Sequence, residues 1–303
     1  MASQAMSKPS MLSGTFGECI AEFFGTMVLI LFGDGCVATF LLFSNNVLSP
    51  AAASTTSSGL VPGNFIPVDW NVIAFGWGFA VMLGIYVAGA VSGAHINPAV
   101  TFALAVRKKF AWSKVVPYWA AQVVGAFIAA LILWLVYQGA LTHALNGQNI
   151  TKLGGMFYTS AKPVVGTFGA FMDEFVGTAL LVGLIFAIVD GRNQPVQSNL
   201  NPFIIGILIV AIGYSFGLNT GYAINPARDF GPRLLVSIVG GGADAFPASY
   251  WWIPIIAPLA GGAVGGIIYD FAIHPILEAR HLEKSGAAET VGRAVREPTV
   301  GDD

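Results

Sequence analysis

The sequence predicts an all-α membrane protein with six transmembrane helices and two re-entrant half-helices, built as an inverted three-span repeat. Three observations carry that reading. Charged residues are 10% and hydrophobic residues 55% of the 303, whereas charged residues are about 25% of ordinary soluble domains. Six apolar stretches are long enough to cross a bilayer, and two others are not. Each half of the chain also carries the same pair of motifs. Of the 30 formal charges, Lys8 and ten in residues 274–303 sit in polar tails. The 19 that remain cannot coat a water-facing surface over the 265 residues between. Lipid is therefore the solvent, and a net charge of −2 argues against a nucleic-acid partner.

A helix needs about 20 apolar residues to cross the hydrocarbon core. Residues 16–43, 70–91, 113–139, 169–189, 202–218 and 249–273 meet that length. Residues 94–106 and 224–239 are shorter, contain Asn-Pro-Ala near their starts, and read as re-entrant segments. The chain divides into an N-terminal tail at 1–15, a membrane domain at 16–273 and a C-terminal tail at 274–303. Within the membrane domain, repeat 1 covers about 16–139 and repeat 2 about 169–273. The C-terminal tail reads as largely disordered after a short helix. Residues 1–15 are polar with one Lys, so the first span is expected to be its own insertion signal. Cys19 and Cys36 stand 17 residues apart in one span, which is about 25 Å along a helix and too far for a disulfide.

Six spans put both termini on one side, and the short loops say which. Lys8, Arg107, Lys108, Lys109, Lys114, Arg192, Arg280, Lys284, Arg293 and Arg296 share that side. The opposite loops hold only Lys152 and Lys162, apart from Arg228 and Arg233 in the second re-entrant segment. Both termini are thus expected to be cytoplasmic. The outer connections are 44–69 and 140–168, and the second contains the sequon Asn149-Ile150-Thr151, which makes Asn149 a candidate glycosylation site.

The repeat is explicit. Glu22-Phe23-Phe24-Gly25-Thr26 recurs as Glu174-Phe175-Val176-Gly177-Thr178, and Gly93-Ala94-His95-Ile96-Asn97-Pro98-Ala99 recurs as Gly221-Tyr222-Ala223-Ile224-Asn225-Pro226-Ala227. The Glu-to-Asn spacings, 75 and 51, differ by 24, about the length of the outer loop 44–69. An odd number of spans per copy inverts the second, and inverted repeats set equivalent segments face to face near the bilayer midplane. Asn-Pro starts a helix: Asn caps the first N–H groups, and Pro at the first position loses no bond. Non-helical backbone at membrane depth survives only beside protein or a water-filled cavity. The carbonyls of Gly93, Ala94 and His95, and of Gly221, Tyr222 and Ala223, are therefore expected to form acceptor ladders. Asn97 and Asn225 would add two fixed N–H donors between them.

This constellation closely resembles the aquaporin superfamily from about Glu18 to Ile273, nearly the whole ordered chain. The resemblance implies a passive channel domain at 16–273, with two half-helices completing a pseudo-seventh span, in a homotetramer with one pore per subunit in the plasma membrane. Asp229 follows Arg228 in Asn-Pro-Ala-Arg-Asp-Phe-Gly-Pro, which resembles the aquaglyceroporin subfamily. Counting from the motifs, that family's outer constriction falls on Trp77, Gly213, Tyr222 and Arg228. Gly213, where water-only members have His, would leave space for a carbon backbone. Trp77 and Tyr222 would face CH groups, and Arg228 would donate to hydroxyls. Tyr222 departs from the Phe usual in bacterial glycerol facilitators, and its hydroxyl could narrow or wet the constriction. Water and small neutral solutes such as glycerol are the implied cargo, with urea and undissociated small acids as further candidates. Ions and protons would be excluded, and no cofactor or metal is called for.

The resemblance also makes Glu22 and Glu174 loop-supporting acceptors, with Asp229 grouped beside them, rather than a proton relay. His95 reads as loop packing and His143 as an outer-loop residue. Asp34 and Asp173 read as solvated groups near helix ends, and Arg107-Lys108-Lys109 as an anchor to anionic lipid. Two readings compete with a glycerol channel. A water-selective pore is opposed by Gly213 and Asp229. A proton-coupled transporter of small polyols is opposed by the lack of a carboxylate cluster at the motifs.

Overall fold

The protein is described from a computed structural model, over residues 11–43 and 69–283. The expectations for residues 1–10, for the loop at 44–68 and for 284–303 lie outside the described residues. A short turn at Met11–Ser13 leads into α1 (Thr15–Phe43), then α2 (Trp70–Ser92), α3 (Pro98–Val106), α4 (Trp112–Val136) and the short α5 (Gln138–Leu145). After a tight helical turn at Ile150–Met156 come α6 (Gly166–Val189), α7 (Asn201–Thr220), α8 (Pro226–Val236) and α9 (Ile253–Ala272). Among the described residues every regular element is helical, and six of the helices are long and apolar enough to cross a membrane.

The expected spans hold, with shifted ends. The third stops at Val136, where Tyr137 caps it and the chain turns into α5. The sixth starts at Ile253 because a turn around Pro247, closed by Tyr250 N–H donating to the Pro247 carbonyl at 2.9 Å, precedes it. α8 ends at Val236, short of 239, and an irregular turn follows in which Gly240 takes φ +125°. Residues 274–283 are helical, as far as the description extends.

Packing follows the repeat. α1 lies against α2 and α4, and α6 against α7 and α9. Gly125 of α4 sits on the backbone of Phe23, and Gly261 of α9 on that of Phe175. A Cβ at either glycine would overlap a main-chain carbonyl, so the helices approach closely at equivalent places in the two halves. Gly261, Gly262, Gly265 and Gly266 are thus used within the subunit, against α6, α3 and Arg107. The half-helices cross over: α3 packs chiefly on α9 and α8 chiefly on α4. Their nine and eleven residues measure about 14 and 17 Å at 1.5 Å per residue, together roughly one hydrocarbon thickness. Large apolar side chains such as Phe32, Phe79, Val116, Leu135 and Phe271 point outward, as lipid-facing groups do.

Candidate functional site

The two loops that enter the half-helices share one backbone course. Gly93 and Gly221 end α2 and α7 in the left-handed region, at φ +83° and +98°. Ala94 and Tyr222 follow at +49° and +38°, and Ile96 and Ile224 at +42° and +43°. Left-handed backbone costs a non-glycine residue about 1–2 kcal/mol, so the surroundings must hold these turns open. Two buried carboxylates do. Glu22 accepts from His95 N–H at 2.9 Å, Ile96 N–H at 2.6 Å, Ser92 Oγ at 2.5 Å and Gln122 Nε2 at 2.8 Å. Glu174 accepts from Ala223 N–H at 2.8 Å, Ile224 N–H at 2.7 Å and Thr220 Oγ1 at 2.8 Å. Asp173, expected to be solvated, is buried; it accepts from Asn219 Nδ2 at 2.8 Å and shares with Glu174 the single Thr220 hydroxyl hydrogen, Oγ1 lying 2.7 Å from its Oδ2.

Each half-helix starts on its Asn-Pro. Asn97 Oδ1 accepts from Ala99 N–H at 2.8 Å, and Asn225 Oδ1 from Ala227 N–H at 3.0 Å. The amide groups then reach across the repeat: Asn97 Nδ2 donates to the Ile224 carbonyl and Asn225 Nδ2 to the Ile96 carbonyl, both at 2.8 Å. This reciprocal clasp was not foreseen in the sequence. It uses one hydrogen of each amide and leaves the other for the lumen.

A cavity of about 570 Å³ passes the clasp. It is lined at one end by Trp77, Tyr222 and Arg228, in the middle by Asn97, Asn225, Gly93, Ala94, His95 and Ala223, and at the other end by Arg107, Asp190, Arg192 and His274. Pro98 and Pro226 occupy the first helical positions behind the two asparagines. At the latter mouth the Arg192 guanidinium, bonded to Asp190 at 3.1 Å, holds that carboxyl below the usual carboxylate range. Arg107 pairs with Asp270 and lies over the Phe186 ring at 3.8 Å, rather than reaching for lipid.

At the Trp77 end the Arg228 guanidinium carbon lies 4.1 Å from the Trp77 ring centroid. Its Nη1 donates to the Phe157 carbonyl and to Asp34 Oδ1, both at 3.2 Å. Among the described residues Nε and Nη2 make no hydrogen bond to protein, which leaves that edge for the lumen. Two expectations change here. Gly213 does not line the cavity: the space above its Cα is filled by Tyr222, whose Cζ and hydroxyl oxygen would stand 2.9 and 3.0 Å from an added Cβ. Gly221, expected to line the cavity through its carbonyl, is not among the lining residues either.

Asp34 also departs from its expected setting. It is completely buried in α1, not solvated at a helix end. The signal was present in the sequence as a carboxylate in an apolar span, for which an intramembrane arginine is the natural partner. Asp229 accepts from Thr159 N–H at 2.8 Å, Thr159 Oγ1 at 2.7 Å and Arg233 Nε at 2.7 Å. Arg233, fully buried, also donates to the Ala245 and Thr159 carbonyls at 2.7 Å. His95 bonds Thr101 at 3.1 Å and packs edge-on to Phe110. Asn149 caps the turn at Ile150–Met156, accepting from Thr151 N–H at 2.9 Å, and His143 is exposed on α5.

Comparison with known proteins agrees with this architecture. The family described as Major intrinsic protein matches residues 10–269. The chain is 41% identical over 263 residues to an uncharacterized membrane protein of Schizosaccharomyces pombe and 40% identical over 261 residues to Aquaglycerol porin AQY3 of Saccharomyces cerevisiae. These alignments cover 85% and 84% of this chain but 41% and 37% of those proteins, so the chain spans about two fifths of their length. The X-ray structure of the aquaglyceroporin from Plasmodium falciparum superposes with a TM-score of 0.74 at 32% identity, covering 88% of this chain and 100% of that one.

Proposed function

Because this chain belongs to the major intrinsic protein family, an integral membrane family of channels for water and small solutes, we propose that its pore conducts glycerol and similar small neutral solutes together with water. The observation that carries this reading is the division of the constriction. One edge is a guanidinium with free N–H groups, stacked on the Trp77 ring; the Trp77 and Tyr222 rings beside it supply apolar wall. A polyol presents hydroxyls along one side and CH groups along the other, and so meets both. The name aquaglyceroporin borne by the Plasmodium structure supports the same cargo.

Charge accounts for what is refused. Each half-helix carries about +0.5 elementary charge at its N-terminus, and both tips meet at the clasp. At about 5 Å and an effective dielectric of about 20, the pair opposes a cation by roughly 3 kcal/mol, before the loss of hydration. Neutral solutes pay none of this, so cations including hydronium are excluded, and a small acid crosses only uncharged. The pore domain is 16–273, with its site at Trp77, Gly213 (through the Tyr222 ring it seats), Tyr222 and Arg228 and at the two Asn-Pro-Ala segments. The basic residues of the short loops support cytoplasmic termini, in a plasma-membrane homotetramer, and the exposed Asn149 supports glycosylation there. Stopped-flow light scattering on reconstituted vesicles tests the cargo: water and glycerol should both equilibrate far faster than in protein-free vesicles. Fast water with glycerol at the protein-free rate would make the pore water-selective.

A further inference from the structure

The filter Arg228 does not stand alone in its charge. Asp34, twelve residues after Glu22 on α1, is fully buried, and its Oδ1 accepts from Arg228 Nη1 at 3.2 Å. Its other oxygen, Oδ2, is buried with no hydrogen-bond partner among the described residues. The carboxylate is thus tied to the protein through the guanidinium, and its one salt bridge among the described residues is to Arg228. The neighbouring turn of α1 completes the back wall. Gly33 has the Trp77 ring directly on its Cα, and Cys36 Sγ donates to the Gly33 carbonyl at 2.9 Å. A lone intramembrane carboxylate is costly, and without another donor its placement answers to the arginine in front of it.

We propose that Asp34 is the counter-ion and positioning residue of the selectivity filter. It holds Nη1 back against α1 and the Phe157 carbonyl, so that only the Nε and Nη2 edge meets the solute. It also offsets part of the Arg228 charge, and cation refusal then leans more on the half-helix tips. The inference rests on the reading of Trp77, Tyr222 and Arg228 as the filter. The reverse consequence is specific. With Arg228 removed, the space its side chain vacates opens the buried Asp34 to lumen water, and the hydrated carboxylate attracts cations rather than merely ceasing to repel them.

The test measures, in proteoliposomes, the glycerol-to-water permeability ratio, which is independent of how much protein is reconstituted, together with cation conductance. The proteins are the unaltered chain, D34A, D34N, R228A and the double variant D34N/R228A. Loss of a charge-assisted anchor should let the guanidinium enter the lumen in D34A and lower the ratio on the order of tenfold. D34N, which keeps an acceptor of the same shape, should restore most of it. R228A should conduct cations, and D34N/R228A should lose most of that conductance. An unchanged ratio in D34A, or equal conductance in R228A and the double variant, would overturn the proposal. Should D34A not fold, the R228A pair decides alone. If R228A itself matches the unaltered chain in both ratio and conductance, the filter reading has failed as well as the inference built on it.

Discussion

The two re-entrant half-helices are built alike and charged differently. Both loops repeat the same left-handed turns, each over a buried glutamate, and both asparagines cap and clasp in the same way. Then the sequences part. Ala94 in the first copy corresponds to Tyr222 in the second, Val100 to Arg228, Thr101 to Asp229 and Ala105 to Arg233. α3 carries no charge, whereas α8 carries three, all buried. The duplicated scaffold positions the backbone in both halves, and the buried charges proposed to discriminate between solutes are carried by one of them. That asymmetry brings Asp34 from the first half to pair with Arg228, and Thr159 from the connecting loop to hydrogen-bond Asp229 and Arg233.

If the glutamates are common scaffold, Glu22→Ala and Glu174→Ala should fail alike. Each leaves at least two buried N–H groups without acceptors, at about 1–3 kcal/mol apiece, under turns that are already strained. Folded yield, read by size-exclusion chromatography in detergent, should drop for both, with water and glycerol flux falling in the same proportion. A variant with normal yield but altered proton coupling would revive a relay role. The next effect separates the halves. Asp229→Ala strands the buried Arg233 and should cost about 3–5 kcal/mol, whereas its counterpart Thr101→Ala removes neutral hydrogen bonds worth about 1 kcal/mol each. Thermal unfolding in detergent compares them, and equal midpoints would erase the distinction. The smallest effect on stability and the sharpest on selectivity belongs to Gly213→His. The new ring must displace Tyr222 towards the lumen, so glycerol flux should fall while water flux persists; equal loss of both would contradict the seating of Tyr222 on α7.

The fold was legible because its determinants are local or repeated. The length of an apolar run distinguishes a span from a half-helix, Asn-Pro announces a cap within three residues, and recurrence reveals the inverted copy. Helix ends drifted by a few residues where a turn such as the one around Pro247 intervened. The site was legible to the extent that it repeats: paired loops invite paired glutamates. What could not be read is contact across the bundle. Asp34 and Arg228 lie 194 residues apart, and the Tyr222 ring covers Gly213 only because of how the loop folds onto α7. No periodicity encodes such meetings. The clasp between Asn97 and Ile224 was hidden for the same reason, since it joins a side-chain amide of one half to a backbone carbonyl of the other.

The central claim is that converging helix tips admit neutral polyols and stop charge. Glycerol flux and proton flux measured on the same reconstituted vesicles test it most directly, with a pH-sensitive dye inside and a glycerol gradient imposed with and without a proton gradient. The account predicts rapid glycerol entry at a rate indifferent to the proton gradient, with internal pH unmoved beyond that of protein-free vesicles. Glycerol entry that saturates, follows the proton gradient and acidifies the lumen would contradict it.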